Sequence, residues 1–270
     1  HYSLLITHYS LLITHYSLLI THYSLLNTHS FTIHVFALYC IKIIHKLNFL
    51  SHFYHETPCD DPYFVAGVIL PDILSNYSHR SGEVVKLFVH KLQIPDSKQQ
   101  ESLQNGVKRH YEIDGYFHES QFFEQNTKSI SSLIKTRDFD CFEKRLYAVS
   151  HVMLEIMLDR KILTEDIGAC ENMYFMLEKV NSEEVTRLIK LNSEASKPEE
   201  VREHFDRFRS LKFIYDYTFD LRLVELMNSI NKRLGNKAFS EKDRELFKLT
   251  IHDIENTLFP QKFPKFPTDL

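Results

Sequence analysis

The sequence predicts an all-α protein: one helical bundle domain, preceded by a repetitive N-terminal extension. Three observations carry that expectation. No segment alternates apolar and polar residues in the manner of a half-buried strand. Beyond residue 47, apolar residues recur at the three- and four-residue spacing of a helix face. Six Gly and eight Pro in 270 residues leave long stretches without a helix breaker.

The extension comes first. Residues 1–28 repeat a seven-residue unit, HYSLLIT, in which only Asn27 departs from the pattern. A heptad period suggests a coiled coil, yet the unit has no flanking charges and mixes aromatic with β-branched residues. Solenoid repeats are longer. The apolar run Phe31–Ile44 falls short of the roughly 20 residues a bilayer needs. Neither the basic start nor the small-residue cleavage site of a signal peptide is evident. The first Met is Met153. The expectation is that residues 1–46 are translated upstream sequence or disordered, and that the evolved domain covers 47–260, starting at Leu47 through a leucine start codon. Residues 261–270 read as a Pro-rich tail.

Within the domain, Asn48–Tyr54 is a short apolar run holding His52. Asp60-Asp61-Pro62 is a helix start, with Asp at the cap and Pro in the first turn. The helix that follows is expected to be interrupted at Pro71, just before Asp72. Ser78–Ser102 reads as a mobile connection around a short helix. Helical spacing returns from Glu101 to about Asn126 and continues over Ser131–Lys135 and Phe139–Leu163. Asn172–Leu191, Pro198–Leu234 and Ser240–Leu258 complete the bundle, the last opened by a capping box of Ser240 with Asp243.

Composition sets outer limits. The formal net charge of −4 gives no bulk electrostatic reason to expect a nucleic-acid partner. Cys40, Cys59, Cys141 and Cys170 stand far apart, without a C-x-x-C pair, which argues against a zinc ribbon and for reduced thiols in a cytoplasmic protein. No stable membrane association is expected. Phosphate-binding glycine loops and the G-x-S-x-G elbow are absent from the sequence.

The informative stretch is GVKRHYEIDGYFHES, Gly106–Ser120. His110, Asp114 and His118 lie at steps of four, so a helix stacks them along one line. A second helix repeats the pattern with His151, Glu155 and Asp159. His52 and Asp72 stand upstream. A single His-x-x-x-Asp is usually an exposed local couple, and Asp159 beside Arg160 and Lys161 also reads as a surface ion pair. Two matched lines, however, are what a divalent-metal site between facing helices requires. Burying so many ionisable groups in a dry interior without a cation is costly.

At these residues the chain resembles the acyl-carrier-protein phosphodiesterase family, all-helical proteins related to HD-type metal phosphohydrolases. The family's opening M-N-F-L-x-H corresponds to LNFLSH, Leu47–His52, with Leu47 at the Met position. Its Gly-to-Asp block corresponds to AGVILPDIL, with Gly67 and Asp72, and its G-x-x-x-H-x-x-I-D block to Gly106–Asp114. The similarity spans Leu47–Leu163.

The resemblance implies an HD-domain-like bundle that hydrolyses a phosphodiester. It would release 4′-phosphopantetheine from the serine of holo acyl carrier protein, in fatty acid and lipid metabolism. It implies a metal set of His52, Asp72, His110, Asp114, His151 and Glu155, with Asp114, His110 and His118 in catalysis. The expected ion is manganese or magnesium. Where the family has Asp, this chain has His118 and His151, and where the family has His it has Ile156. Those exchanges would favour softer, zinc-like ions. The His-rich pattern is also similar to zinc-dependent phospholipase C. The alternatives are therefore another metal phosphohydrolase, with a nucleotide or phospholipid substrate, or a helical binding protein whose site has decayed. An acidic carrier protein implies a basic surface, with Lys108, Arg109, Lys128, Lys135 and Arg137 as candidates.

Overall fold

The computed structural model describes residues 48–258. The repetitive extension, the Leu47 start and the Pro-rich tail lie outside the described residues. The described residues are helical and include no strand. No helix among them is long and apolar enough to cross a membrane.

The chain folds as α1 (Phe49–Tyr54), α2 (Pro62–Ser81), α3 (Lys98–Glu119), α4 (Gln121–Lys135), α5 (Leu146–Glu165), α6 (Ile167–Glu178), α7 (Ser182–Asn192), α8 (Pro198–Leu211), α9 (Asp220–Arg233) and α10 (Glu241–Leu258). Short 3₁₀ turns interrupt it at Val89–Lys91 and Phe213–Thr218. Helix α5 is buried around nearly its whole circumference and forms the axis of the core. Helices α1, α4 and α6 pack on it, and α2 packs on α3.

Local signals set many of the ends. Asp61 caps α2, its Oδ1 accepting from the backbone N–H of Tyr63 (2.9 Å) and Phe64 (3.2 Å), with Pro62 at the first helical position. Gly82 ends α2 in the left-handed region, at φ 76°. Ser240 and Asp243 form a reciprocal capping box at α10: Asp243 N–H donates to Ser240 Oγ (3.1 Å) and Ser240 N–H to Asp243 Oδ2 (2.9 Å).

Several expected boundaries move, each for a tertiary reason. Helix α2 continues through Pro71. Every residue from Val65 to Leu74 is buried there, and that burial outweighs the one backbone hydrogen bond a proline cannot donate. The expected helix over Phe139–Leu163 begins only at Leu146. Upstream of it, Phe139 and Phe142 pack against Phe247, Asp140 N–H donates to Asp243 Oδ1 (2.9 Å), and Arg145 adopts φ 53°. Pro198–Leu234 breaks at Lys212, φ 47°, so that Ile214 and Tyr217 turn into the core beside α5. The expected Asn172–Leu191 helix is two helices. Asp166 caps the first through Ala169 N–H (3.1 Å), and Asn181 caps the second through Glu183 N–H (3.1 Å). Glu101–Asn126 also divides, because Ser120 ends α3 and caps α4.

One crossing positions the site. A Cβ on Gly67 would lie 2.2 Å from the Leu103 carbonyl oxygen, and one on Gly106 would lie 2.2 Å from that of Phe64. Helices α2 and α3 therefore meet backbone to backbone, an approach that only glycine permits. Asp72 lies five residues beyond Gly67 and His110 four beyond Gly106, so this contact brings the two side chains together.

Candidate metal centre

Every expected ligand is buried: His52, Asp72, His110, Asp114, His151 and Glu155. The structure sorts them into two groups. In the first, His52 from α1, Asp72 from α2 and His110 from α3 present ligand atoms within 4.8 Å of one another. In the second, His118 from α3 joins His151 and Glu155 from α5 at the same mutual distance. Asp114 sits beside the second group, its Oδ1 at 3.1 Å from His118 Nε2. The expected ligands thus fall into two trios, with His118 joining the second and Asp114 as its hydrogen-bond partner.

The first trio has the geometry of ligands that share an ion. His110 Nδ1 lies 2.8 Å from the Val68 carbonyl oxygen, which can only accept, so Nδ1 carries the proton. In the neutral ring Nε2 is then an acceptor, and it faces Asp72 Oδ1 at 3.7 Å. His52 Nε2 faces Asp72 Oδ2 at 3.8 Å, and the two imidazole rings lie 4.5 Å apart. These distances are too long for hydrogen bonds. Ligands about 2.1 Å from a tetrahedral ion stand about 3.4 Å apart, close to what is observed. The donor set therefore fits a divalent ion. The carbonyl of Val68 fixes the ring and tautomer of His110, the role an outer partner of a ligating histidine plays.

The second trio is closed by its own hydrogen bonds. His151 Nε2 lies 2.8 Å from Glu155 Oε1, and His118 Nε2 lies 3.7 Å from the same oxygen. An ion here would replace the His151–Glu155 and His118–Asp114 bonds. Phe123 walls this side, its ring 4.6 Å from that of His118 and 4.8 Å from that of His151. His118 is the partly exposed member, at 17% of its side chain, so solvent meets the centre along the His118–Asp114 edge. A second approach is a crevice of about 10 Å³ lined by Asn48, Ser51, His52, His55, Ile113 and Phe117, with room for about one water.

No family model, no curated protein and no solved structure matches the chain.

Three residues near the centre were misjudged or missed. Asp159 is no surface ion pair: it is fully buried, while Arg160 pairs with Glu255 (2.5 Å) and Asp220 (2.8 Å), and Lys161 with Glu165 (2.5 Å). Its carboxylate accepts from the backbone N–H of Leu50 (3.0 Å) and Ser51 (2.7 Å). It therefore caps α1 from 108 residues away. Burial, the dominant cause, pushes its pKa up to about 8 against the opposing effect of those N–H groups. A six-residue helix has little stability alone, so Asp159 holds His52 in place.

Arg109 secures the other end of α1. Expected on a basic surface, it lies half-buried, with Nε 2.8 Å from Glu56 Oε1. Arg137 is likewise engaged, donating to the Leu246 carbonyl (2.9 Å) and Thr250 Oγ1 (3.0 Å) and pairing with Asp253. Lys128 pairs with Glu124 at 2.5 Å.

The third is Tyr217, whose buried hydroxyl makes no hydrogen bond. Burial raises its pKa well above the usual value, and Asp159, Tyr174, Glu155 and Asp72 raise it further. In the sequence it stands in an aromatic run, FIYDYTF, with no spacing that links it to the histidines.

Proposed function

We propose that this chain is a metal-dependent phosphodiester hydrolase whose substrate is holo acyl carrier protein. The observation that supports the chemistry is the first trio: two imidazoles and a carboxylate, buried and directed at one another at 3.7 and 3.8 Å, too far apart for hydrogen bonds and near enough to share an ion. The substrate rests on the resemblance of Leu47–Leu163 to the carrier-protein phosphodiesterases.

His52, Asp72 and His110 would hold the divalent ion, while His118, with Asp114 on its Nε2, is kept for proton transfer beside it. When bound, such an ion supplies Lewis acidity, lowering the pKa of water and offsetting phosphoryl charge. Imidazole-rich shells favour zinc over the manganese or magnesium of the family.

The chain's own groups do the rest. His118 stands at the solvent edge with Nε2 on Asp114 and Nδ1 making no hydrogen bond. It can relay a proton through Nδ1 while Asp114 fixes its orientation. Water attacks phosphorus, the bond to the carrier serine breaks, and that serine oxygen takes up a proton. His118 is the group placed to deliver it.

One observation favours a second reading, a helical binding protein with an interior of structural ion pairs. The second trio already carries hydrogen bonds of its own, His151–Glu155 and His118–Asp114.

The test incubates the full chain, loaded with zinc or manganese, with holo carrier protein and separately with bis-p-nitrophenyl phosphate. Turnover of both, lost in His118→Ala, supports the proposal. Turnover of the generic diester alone removes the carrier assignment, and turnover of neither by a metal-loaded protein favours the binding protein.

A further inference from the structure

The segment between α2 and α3 carries an outward face that the proposed chemistry does not use. Val84 is 82% exposed, Ile94 94%, Phe88 40% and Val89 41%. Single exposed apolar residues are ordinary, but here four fall within eleven positions of one segment. Its cations are Lys86, Lys91 and Lys98, all exposed. The Lys86 and Lys91 ammonium nitrogens lie 5.3 and 5.0 Å from the centre of the Phe88 ring, so charge and apolar surface are interleaved. The only acid from Val84 to Lys98 is Asp96, and it is paired with Arg187. Just upstream, Glu83 accepts from the backbone N–H of Ser196. The anions of the segment are thus engaged within the fold, leaving an outward face that is apolar and cationic.

The face is also held in shape. Val85 and Leu87 alternate with the exposed residues and are buried. The Val85 N–H donates to Ser78 Oγ (2.9 Å), the Leu87 carbonyl accepts from the Tyr111 hydroxyl (2.9 Å), and Gln93 is bonded through its N–H to Asn192 Oδ1 (2.6 Å). The expected mobile connection is therefore anchored at several points. Binding on it would lose little further ordering entropy.

We infer that Val84–Lys98 is a docking surface for an acidic protein that presents apolar residues among its carboxylates. Resting on the proposed function, the inference identifies that protein as the carrier itself. The placement suits this role: Tyr111, which holds Leu87, lies with its ring 5.3 Å from that of His110. The segment is thereby tied through Tyr111 to the helix that carries His110. Of the basic residues expected around the sequence motif, Arg109, Lys128 and Arg137 are engaged in ion pairs, while Lys108 and Lys135 are exposed.

The experiment measures binding of fluorescently labelled holo acyl carrier protein to the full chain by anisotropy, alongside steady-state kinetics. Two variants are compared with the wild type: Lys86→Glu with Lys91→Glu, and Val84→Ser with Ile94→Ser. All four positions are exposed, so melting should not change. The expected result is carrier binding about ten-fold weaker in each, with KM for the carrier raised in proportion. The kcat, and the rate on bis-p-nitrophenyl phosphate, should stay at the wild-type level. Carrier binding as tight in both variants as in the wild type would overturn the inference. So would a wild type that binds phosphatidylglycerol vesicles but not carrier, which would make the face a lipid contact. A wild type that binds carrier through this face yet hydrolyses neither substrate would end the hydrolase reading while leaving the docking surface standing.

Discussion

His110 and Asp72 face each other across the crossing of α2 and α3, Nε2 to Oδ1 at 3.7 Å, while Val68 holds the opposite ring nitrogen of His110 at 2.8 Å. A protonated Nδ1 leaves Nε2 as an acceptor facing the carboxylate oxygen, so two acceptors confront each other in a buried site. A cation between them removes the repulsion. The wild type should therefore gain melting temperature on addition of zinc or manganese, and His110→Ala and Asp72→Asn should lose most of that gain. Differential scanning fluorimetry checks it. Equal shifts in all three proteins would place the ion elsewhere.

Asp159 gives a prediction that separates positioning from ligation. Asp159→Asn keeps the size of the side chain but replaces one accepting oxygen with a donor, stranding the N–H of Leu50 or Ser51. The cost should be about 1–3 kcal/mol in urea unfolding. Ion affinity should fall with it, because the helix carrying His52 loosens, and Asp159→Glu should recover part of that affinity. Unchanged metal binding in a destabilised Asp159→Asn would limit the residue to a purely structural part.

The glycine crossing should be intolerant. Alanine at Gly67 or Gly106 places a methyl group 2.2 Å from a backbone oxygen of the facing helix. Each change is expected to cost about 1–3 kcal/mol of unfolding free energy. Because separating α2 from α3 also separates Asp72 from His110, metal affinity should fall in both variants. Wild-type stability in Gly106→Ala would contradict the backbone-to-backbone packing.

His204 supplies a pH dependence remote from the centre. Burial, with Arg80 and Arg207 adding to it, lowers its pKa from 6.5 to about 4. The unfolded chain therefore binds more protons than the folded one between those values, and the stability His204 contributes falls as pH drops through that window. His204→Gln removes this component. The wild type should lose melting temperature relative to the variant as pH falls from about 7 to 4, and parallel curves across the range would refute the assignment.

What was legible in the sequence was whatever depends on neighbours along the chain. The Asp61-Pro62 start, the Ser240–Asp243 capping box and the lines of His and carboxylate on α3 and α5 are local patterns, and the structure forms each of them. What could not be read depends on partners brought together by packing. Pro71 passes unbroken because α2 is buried on α3. Asp159 resembles a surface ion pair until the fold sets it under the N-terminus of α1. The spacing of four that singled out His118 and Asp114 could not say which of them would join His151 and Glu155, since that choice lies in the contact of α3 with its neighbours across the core. Tyr217 had no pattern at all.

The most direct test of the central claim is metal content. Full-length protein is loaded with zinc or manganese, dialysed extensively and measured by elemental analysis, beside His110→Ala treated identically. The account predicts a divalent ion retained by the wild type, with at least one equivalent lost in the variant. A wild type that keeps no ion, or a variant that keeps as much, contradicts it.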